Sequence, residues 1–158
     1  MSNIECEVCQ ISWVLESAQE KAQLEELIST QWEEVDHRRK TSNLDVKFDK
    51  YLEMEELGVH FIVMAYDGAD VIGYNSMFIS PTPHTGEITA LTDTIFIKKE
   101  YRQCGLGTEM IRLAEEESKK RGATNIMVTF KNSDSHPAIV QELGFFSYET
   151  IYAKYIGG

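Results

Sequence analysis

The apolar positions of this chain recur with two periods, and the change from one to the other divides it into elements. Over residues 4–15 they alternate weakly (Ile4, Cys6, Val8, then Ile11, Trp13, Leu15), which is the spacing of a strand. Ser17 stands three residues before Glu20, a capping-box spacing. Beyond it Leu24, Leu27, Ile28, Gln31, Trp32 and Val35 fall mostly on one helical face. Residues 36–43 are polar and read as a loop. A second helix carries Leu44, Phe48, Tyr51 and Leu52 on one stripe and stops at Gly58. The period then changes. Residues 59–66 (VHFIVMAY) and 71–80 (VIGYNSMFIS) are β-rich runs joined by DGAD, a hairpin signal.

PTPHTG (81–86) reads as a loop and EITALTDTIFI (87–97) as the next strand. YRQCGLG (101–107) leads into a helix with Leu106, Met110, Leu113, Ala114 and Glu117 on one side, stopped by Gly122. TNIMVTF (124–130) predicts a strand, and residues 135–143 a short helix with His136 and Pro137 at its start, where proline is tolerated. Gly144 closes that helix, and FFSYETIYAKYI (145–156) predicts one or two final strands. The order is β-α-α-β-β-β-α-β-α-β. A purely parallel sheet would alternate more strictly, so three consecutive central strands predict a mixed, mostly antiparallel sheet in an α/β (α+β) chain.

Composition narrows the class. The 158 residues are the size of one domain, long enough to bury roughly 68–70% of the chain's surface. No linker-like tract or internal repeat interrupts them, so residues 1–158 are expected to form a single domain. A hydrophobic share of 42% with 26% charged residues is wrong for a disordered chain. The longest apolar run, Phe61–Tyr66, is far short of the ~20 residues a spanning helix needs, so no membrane partner is expected. The opening MSNIECEVCQ lacks the basic and apolar regions of a secretory leader.

Charge separates the chain into parts. Fifteen basic and 26 acidic residues give −11, which argues against nucleic acid as a partner. Residues 1–57 carry a net −8, residues 58–97 a net −4 and residues 98–158 a net +1. The last third is therefore the part that would host an anion, and the acidic part would attract a cation. Cys6, Cys9 and Cys104 make no disulfide framework, and the lone CxxC lacks a second pair at zinc spacing. No metal is expected, and this cysteine usage fits a reducing cytoplasm.

The segment Ile95–Thr108, IFIKKEYRQCGLGT, carries the chemistry. A strand ends, a turn follows, and glycines sit at the mouth of a helix whose first amides are unpaired and whose dipole is positive there. Gly105 and Gly107 let backbone approach a phosphate, and Arg102 adds charge. GxGxxG is absent because Met110 follows, and no GK[ST] ends a Walker loop.

Arg102-Gln103-Cys104-Gly105-Leu106-Gly107 resembles the Q/R-x-x-G-x-G/A signature of the GNAT-type N-acetyltransferases. Phe96–Tyr101 before it is similar to that family's strand end and turn, and Leu143-Gly144-Phe145 to its closing LGF. The element order from about residue 8 to 156 resembles the family too. PTPHTG, Asp93 and IFIKKEYR together are similar to small members encoded by phages and prophages. The resemblance implies a GNAT fold: a mixed sheet splayed at the cofactor site, between residues 87–97 and 124–130, with helices on both faces. It implies acetyl-coenzyme A as co-substrate. Its pyrophosphate would be wrapped by Arg102, Gln103, Cys104, Gly105, Leu106, Gly107 and Thr108. Its pantetheine arm would lie along Ile95, Phe96 and Ile97, with Asn132 and Ser133 meeting it from the next loop.

Transfer to an amine needs a base, because a primary amine with a pKa near 10 is protonated at pH 7. Asp93 and Glu87 share strand parity, and Asp93 lies nearer the implied thioester, so Asp93 is the expected base and Glu87 the outsider. Many family members place a tyrosine, as general acid, four residues before the glycine of LGF. Here that position is Val140, which leaves His136 and Tyr148 as candidate acids, or an unassisted thiolate. Cys104 has no visible histidine partner and is not expected to be a nucleophile. His84 could border the acceptor site, and Glu34, at the end of the first helix, could bind a cationic acceptor. The acceptor, a small molecule or a protein amine, stays open, as does homodimer formation, common in such proteins through the final strand. The alternative to catalysis is an acyl-coenzyme A-binding or protein-interaction module on the same fold.

Overall fold

The computed structural model describes residues 2–35, 42–130 and 137–157. Five strands form one sheet in the order β1-β2-β3-β4-β5, with β1 Ile4–Cys9, β2 His60–Asp67, β3 Asp70–Pro81, β4 Ile88–Ile97 and β5 Ala123–Met127. The first four run antiparallel to their neighbours and β5 is parallel to β4. The DGAD signal closes as a two-residue hairpin: Asp67 pairs with Asp70, and Gly68 takes a φ of +60° that only glycine adopts cheaply.

Helices cover both faces. α1 (Ile11–Glu16), α2 (Ala18–Val35) and α3 (Phe48–Glu56) lie on one face, and α4 (Leu106–Lys120) lies on the other; α5 (Pro137–Glu142) follows β5. Alternation along β2 splits the interior. Ile62 and Met64 join Leu24, Leu27 and Tyr74 beneath α1–α3, while Phe61, Val63 and Ala65 join Met77, Met110 and Ala114 beneath α4. Each fully buried side chain of this size contributes roughly 1.5–3 kcal/mol. The α2 capping box is half made, with the Glu20 amide donating to Ser17 Oγ at 3.2 Å. No helix among the described residues is long and apolar enough to cross a membrane.

Four expectations need correction. The first strand ends at Cys9, and residues 11–16 are helical, because Ile11, Val14 and Leu15 also fit helical spacing and turn Ile11 and Val14 into the core. Leu44 precedes α3 instead of joining it. β5 stops at Met127, three residues early, where its ladder with β4 ends. Residues 145–156 form no strand: no described strand pairs with them, and Tyr152 and Ile156 are more than 90% exposed. β-propensity expresses fit to a half-buried pleated surface, and without a partner it does not make a strand. Most of the predicted loop at 36–43 lies outside the described residues.

Candidate active site

β4 is the axis of the site. On one side it pairs with β3 as far as Gly73 and Ile97. On the other it pairs with β5 only from Ile88 to Leu91, whose partner is Met127. Beyond that point the two parallel strands part. Across the start of the gap a side chain replaces the ladder: Thr129 Oγ1 donates to the Thr92 carbonyl at 3.3 Å. From Asp93 to Ile97 the outer edge of β4 has no ladder partner among the described residues.

A bulge sits at the same place. Ser76 pairs with Thr94 and Met77 with Thr92, which leaves Asp93 as the extra residue of β4. The bulge resets the alternation, so Leu91 and Thr94, opposite Phe78 and Ser76, share a face although their numbers differ by three. Glu87, expected to share a face with Asp93, lies outside the strand and accepts a hydrogen bond from Thr85 Oγ1 at 3.1 Å.

Below the fork, the chain leaves Ile97 through a short 3-10 turn, Lys99–Tyr101, and enters α4. Gln103 at φ +66° and Gly105 at φ +84° take left-handed backbone within three residues, a pattern that can turn successive amides to one side. The N-cap, Gly105, has no side chain to cap α4, and among the described residues no side chain is seen to bond its first amides. A Cβ on Gly105 would meet nothing within 4 Å, so that position faces open space and its glycine answers the positive φ. A Cβ on Gly107 would make ordinary contact with Ile97 and Ile139 at 3.6 and 3.8 Å. Leu106 is buried, while Thr108 is half-buried beside it.

Arg102 is already engaged. Its Nε donates to the Ile97 carbonyl at 2.8 Å, and its guanidinium grips Glu34 through both oxygens at 2.6 and 3.1 Å. The guanidinium carbon lies 5.1 Å from the ring centroid of buried Phe96. Arg102 thus fastens the loop to the end of β4 and to α2. Glu34 is placed as this arginine's partner, which holds its carboxyl below the usual range.

Above the fork, a cleft of about 440 Å³ opens between α2, α3 and the sheet. Asp93 and Thr94 line it from β4, and Ser76, Tyr74 and Phe78 from β3. Tyr51 of α3 donates from its hydroxyl to Asp93 Oδ2 at 2.8 Å. The Tyr51 ring stacks with Phe78 (centroids 6.2 Å apart) and meets buried His60 at 5.0 Å. His60 Nε2 lies 2.8 Å from Ser76 Oγ, and Nδ1 has no hydrogen-bond partner among the described residues. Burial pushes His60 down to about 4, against the opposing pull of Asp93 and Glu55. It is therefore a neutral imidazole at neutral pH. Burial also raises the Tyr74 hydroxyl far above its ordinary value.

The remaining candidates are scattered. His84 is exposed in the loop after β3, and Tyr148 is exposed in the C-terminal segment against Phe146. Val140 is half-buried on α5. Asn132, Ser133 and His136 lie outside the described residues. Cys104 Sγ donates to the Tyr101 carbonyl. Cys6 and Cys9, opposite Ala65 and Ile62, point to opposite faces of β1, and burial raises their thiols to about 11 and about 12. That geometry prevents them from closing on one ion. Among the described residues no group of three or more His, Cys, Asp or Glu could hold a metal.

The sequence reading did not assign Tyr51 or His60 to the site. Tyr51 reads as one member of an apolar helical stripe. The one available signal for His60 is a histidine opening an apolar strand run.

A splayed β4–β5 fork above a glycine-bearing helix mouth, with a cleft on the far side, defines an acyl-group transferase scaffold. Residues 21–145 match the Acetyltransferase (GNAT) family. The chain belongs to that family. Solved structures agree in fold. An aminoglycoside acetyltransferase from an uncultured soil metagenomic sample superposes with a TM-score of 0.73 at 18% identity, over 98% of this chain and 99% of that one. A second, crystallised with sisomicin, gives 0.73 at 12% identity, over 98% and 95%. Glucosamine-6-phosphate N-acetyltransferase from Arabidopsis thaliana gives 0.71 at 12% identity, over 98% and 99%. A comparison with curated protein sequences finds no match.

Proposed function

We propose that this protein is an N-acetyltransferase that moves the acetyl group of acetyl-coenzyme A directly to an amine, with Asp93 as the base. One observation carries the reading: the bulge puts Asp93 where the unpaired edge of β4 meets the cleft. The residues present fit the co-substrate. The uncapped amides of α4 and the open backbone at Gly105 suit a diphosphate. The edge from Thr94 to Ile97 suits an amide-bearing arm, which binds there as an added strand. When bound, the co-substrate supplies an activated thioester carbonyl.

The chain's own groups do the rest. Asp93 takes a proton from the incoming ammonium, directly or through one water. The Tyr51 hydroxyl holds that carboxylate in place and acts as a positioning residue. A backbone amide on the free edge of β4 stabilises the oxyanion. Cys104 is not a nucleophile, since its thiol is spent on a carbonyl and no histidine partners it among the described residues. Val140 offers no proton and Tyr148 lies exposed in the C-terminal segment, so among the described residues no acid meets the thiolate, which leaves unassisted unless His136 serves. Three cysteines without a disulfide framework suit a reducing cytoplasm.

Val140 also favours a second reading, an acyl-coenzyme A-binding module without turnover. Thermal melting with acetyl-coenzyme A, followed by thiol release over a panel of amines, separates the two. Ligand at 100 times its Kd adds about 2.7 kcal/mol of stability. A clear shift together with thiol release supports the enzyme. A shift without thiol release supports the module, and no shift at high concentration overturns both.

A further inference from the structure

The walls of the cleft carry information about the acceptor, and this inference rests on the reading just given. Aromatic and aliphatic side chains dominate the lining: Trp32, Phe48, Tyr51, Met54 and Phe78 surround the approach to Asp93. The charged groups at the rim are neutralised in pairs. Lys47 bridges Asp45, and Lys50 bridges Glu53 at 3.0 Å. Asp93 is bonded by a hydroxyl, and no lysine or arginine pairs with it among the described residues. Glu34, the other acid expected to attract a cation, does not line the cleft and is held by Arg102.

We infer that the acceptor is a monocationic primary amine with an apolar or aromatic body, and that the cleft selects against polycations such as polyamines and aminoglycosides. One carboxylate at the reacting end matches one ammonium. A second or third ammonium would lie against Trp32 and Phe78 with no unpaired carboxylate besides Asp93 among the described residues that line the cleft, a cost greater than that of burying a neutral group. The volume, about 440 Å³, lies in the range of small-molecule sites and suits one ring with a short chain. In the transfer the new C–N bond forms first, giving the oxyanion, and the C–S bond breaks as that oxyanion collapses. The ammonium gives up two protons overall, and after the thiolate has left one is balanced by its protonation to the free thiol and one remains in solvent.

The test uses the purified full chain with acetyl-coenzyme A. Thiol release is followed with 2-phenylethylamine, hexylamine, spermidine and kanamycin, and calorimetry measures binding of 2-phenylethylamine in the presence of coenzyme A. A kcat/KM for 2-phenylethylamine at least ~10-fold above those for spermidine and kanamycin, about 1.4 kcal/mol of discrimination, is expected. Met54→Glu adds a second carboxylate at the partly exposed rim and should shift that ratio toward spermidine by about as much. Equal or better turnover of the polycations overturns the inferred class and leaves the acetyltransferase reading intact. Binding of 2-phenylethylamine with no thiol release from any amine supports the inferred class and overturns the acetyltransferase reading. No binding of 2-phenylethylamine overturns the inference itself.

Discussion

The two ends of the fork are built from different materials. Below it, the loop at residues 102–108 offers backbone: amides with no side-chain cap at Gly105, two left-handed residues and two glycines. Above it, the proposed acceptor cleft offers side chains: a carboxylate bonded by Tyr51, walls of aromatic rings and rim charges cancelled in pairs. Backbone donors suit a ligand part that never varies, because a diphosphate asks only for amides at the right spacing. Side chains suit a part that differs among related proteins, because they change by single substitutions without moving the sheet. The difference explains why a shared fold does not carry a shared acceptor.

The sharpest way to break this comparison is to damage each end and read both functions. Asp93→Asn should lower kcat about 10²–10⁴-fold, the usual contribution of a positioned base, while the acetyl-coenzyme A Kd moves little. Gly107→Phe should do the reverse and abolish the melting shift. Gly107→Ala, whose methyl meets Ile97 and Ile139 at ordinary contact distance, should keep the fold and most of the binding. Calorimetry and steady-state kinetics on the three variants decide it. If Asp93→Asn weakens cofactor binding as much as Gly107→Phe does, the two ends are not separate sites.

The side-chain end should also be the one that senses pH. His60 sits beneath Tyr51 with its ring held at about 4, below its ordinary 6.5, mainly by burial. Asp93 and Glu55 oppose that depression and Arg121 reinforces it. Below pH 6.5 the unfolded chain takes up a proton at this imidazole and the folded chain does not. Stability should therefore fall as pH drops from 6.5 toward 4, by on the order of 3 kcal/mol, and gain nothing from this group above 6.5. His60→Asn, which can keep a bond to Ser76, should flatten that part of the profile in urea melts. Unchanged slopes in both proteins would remove His60 from the account.

At the backbone end the corresponding change is smaller. Gly105→Ala forces a methyl-bearing residue to φ +84°, which costs roughly 1–2 kcal/mol although nothing crowds the site. A lower midpoint with an unchanged m-value is the expected result, since the strain is local.

How much of this was legible depended on how far apart the interacting residues stand. The capping box, the hairpin at Gly68, the three central strands and the glycine loop are local, and periodicity or a short motif exposes them. The bulge at Asp93 is one residue long and invisible to period-two reading, so the parity argument linking Glu87 and Asp93 failed with Glu87 outside the strand. Tyr51 and Asp93 are 42 positions apart, and Arg102 and Glu34 are 68. No spacing rule joins such pairs. Residues 145–156 show the opposite error, since their strand propensity was real but needed a neighbour that the fold did not supply.

The Arg102–Glu34 pair ties the two ends together, and breaking it is the finest test. Glu34→Gln removes one partner of a partly exposed, two-pronged ion pair. Such a pair contributes about 0.2–1 kcal/mol, so the melting midpoint should drop by only a few degrees. The effect on the ligand should carry the opposite sign. Arg102 keeps its bond to the Ile97 carbonyl and stays at the mouth of the loop, but its charge is no longer cancelled by a carboxylate. Acetyl-coenzyme A should then bind a few-fold more tightly at low salt. The gain should fade as ionic strength rises and the Debye length falls below about 10 Å. Titrations at two salt concentrations read this directly. A loss of affinity at both would mean that Glu34 holds Arg102 in the binding geometry and does not merely neutralise it.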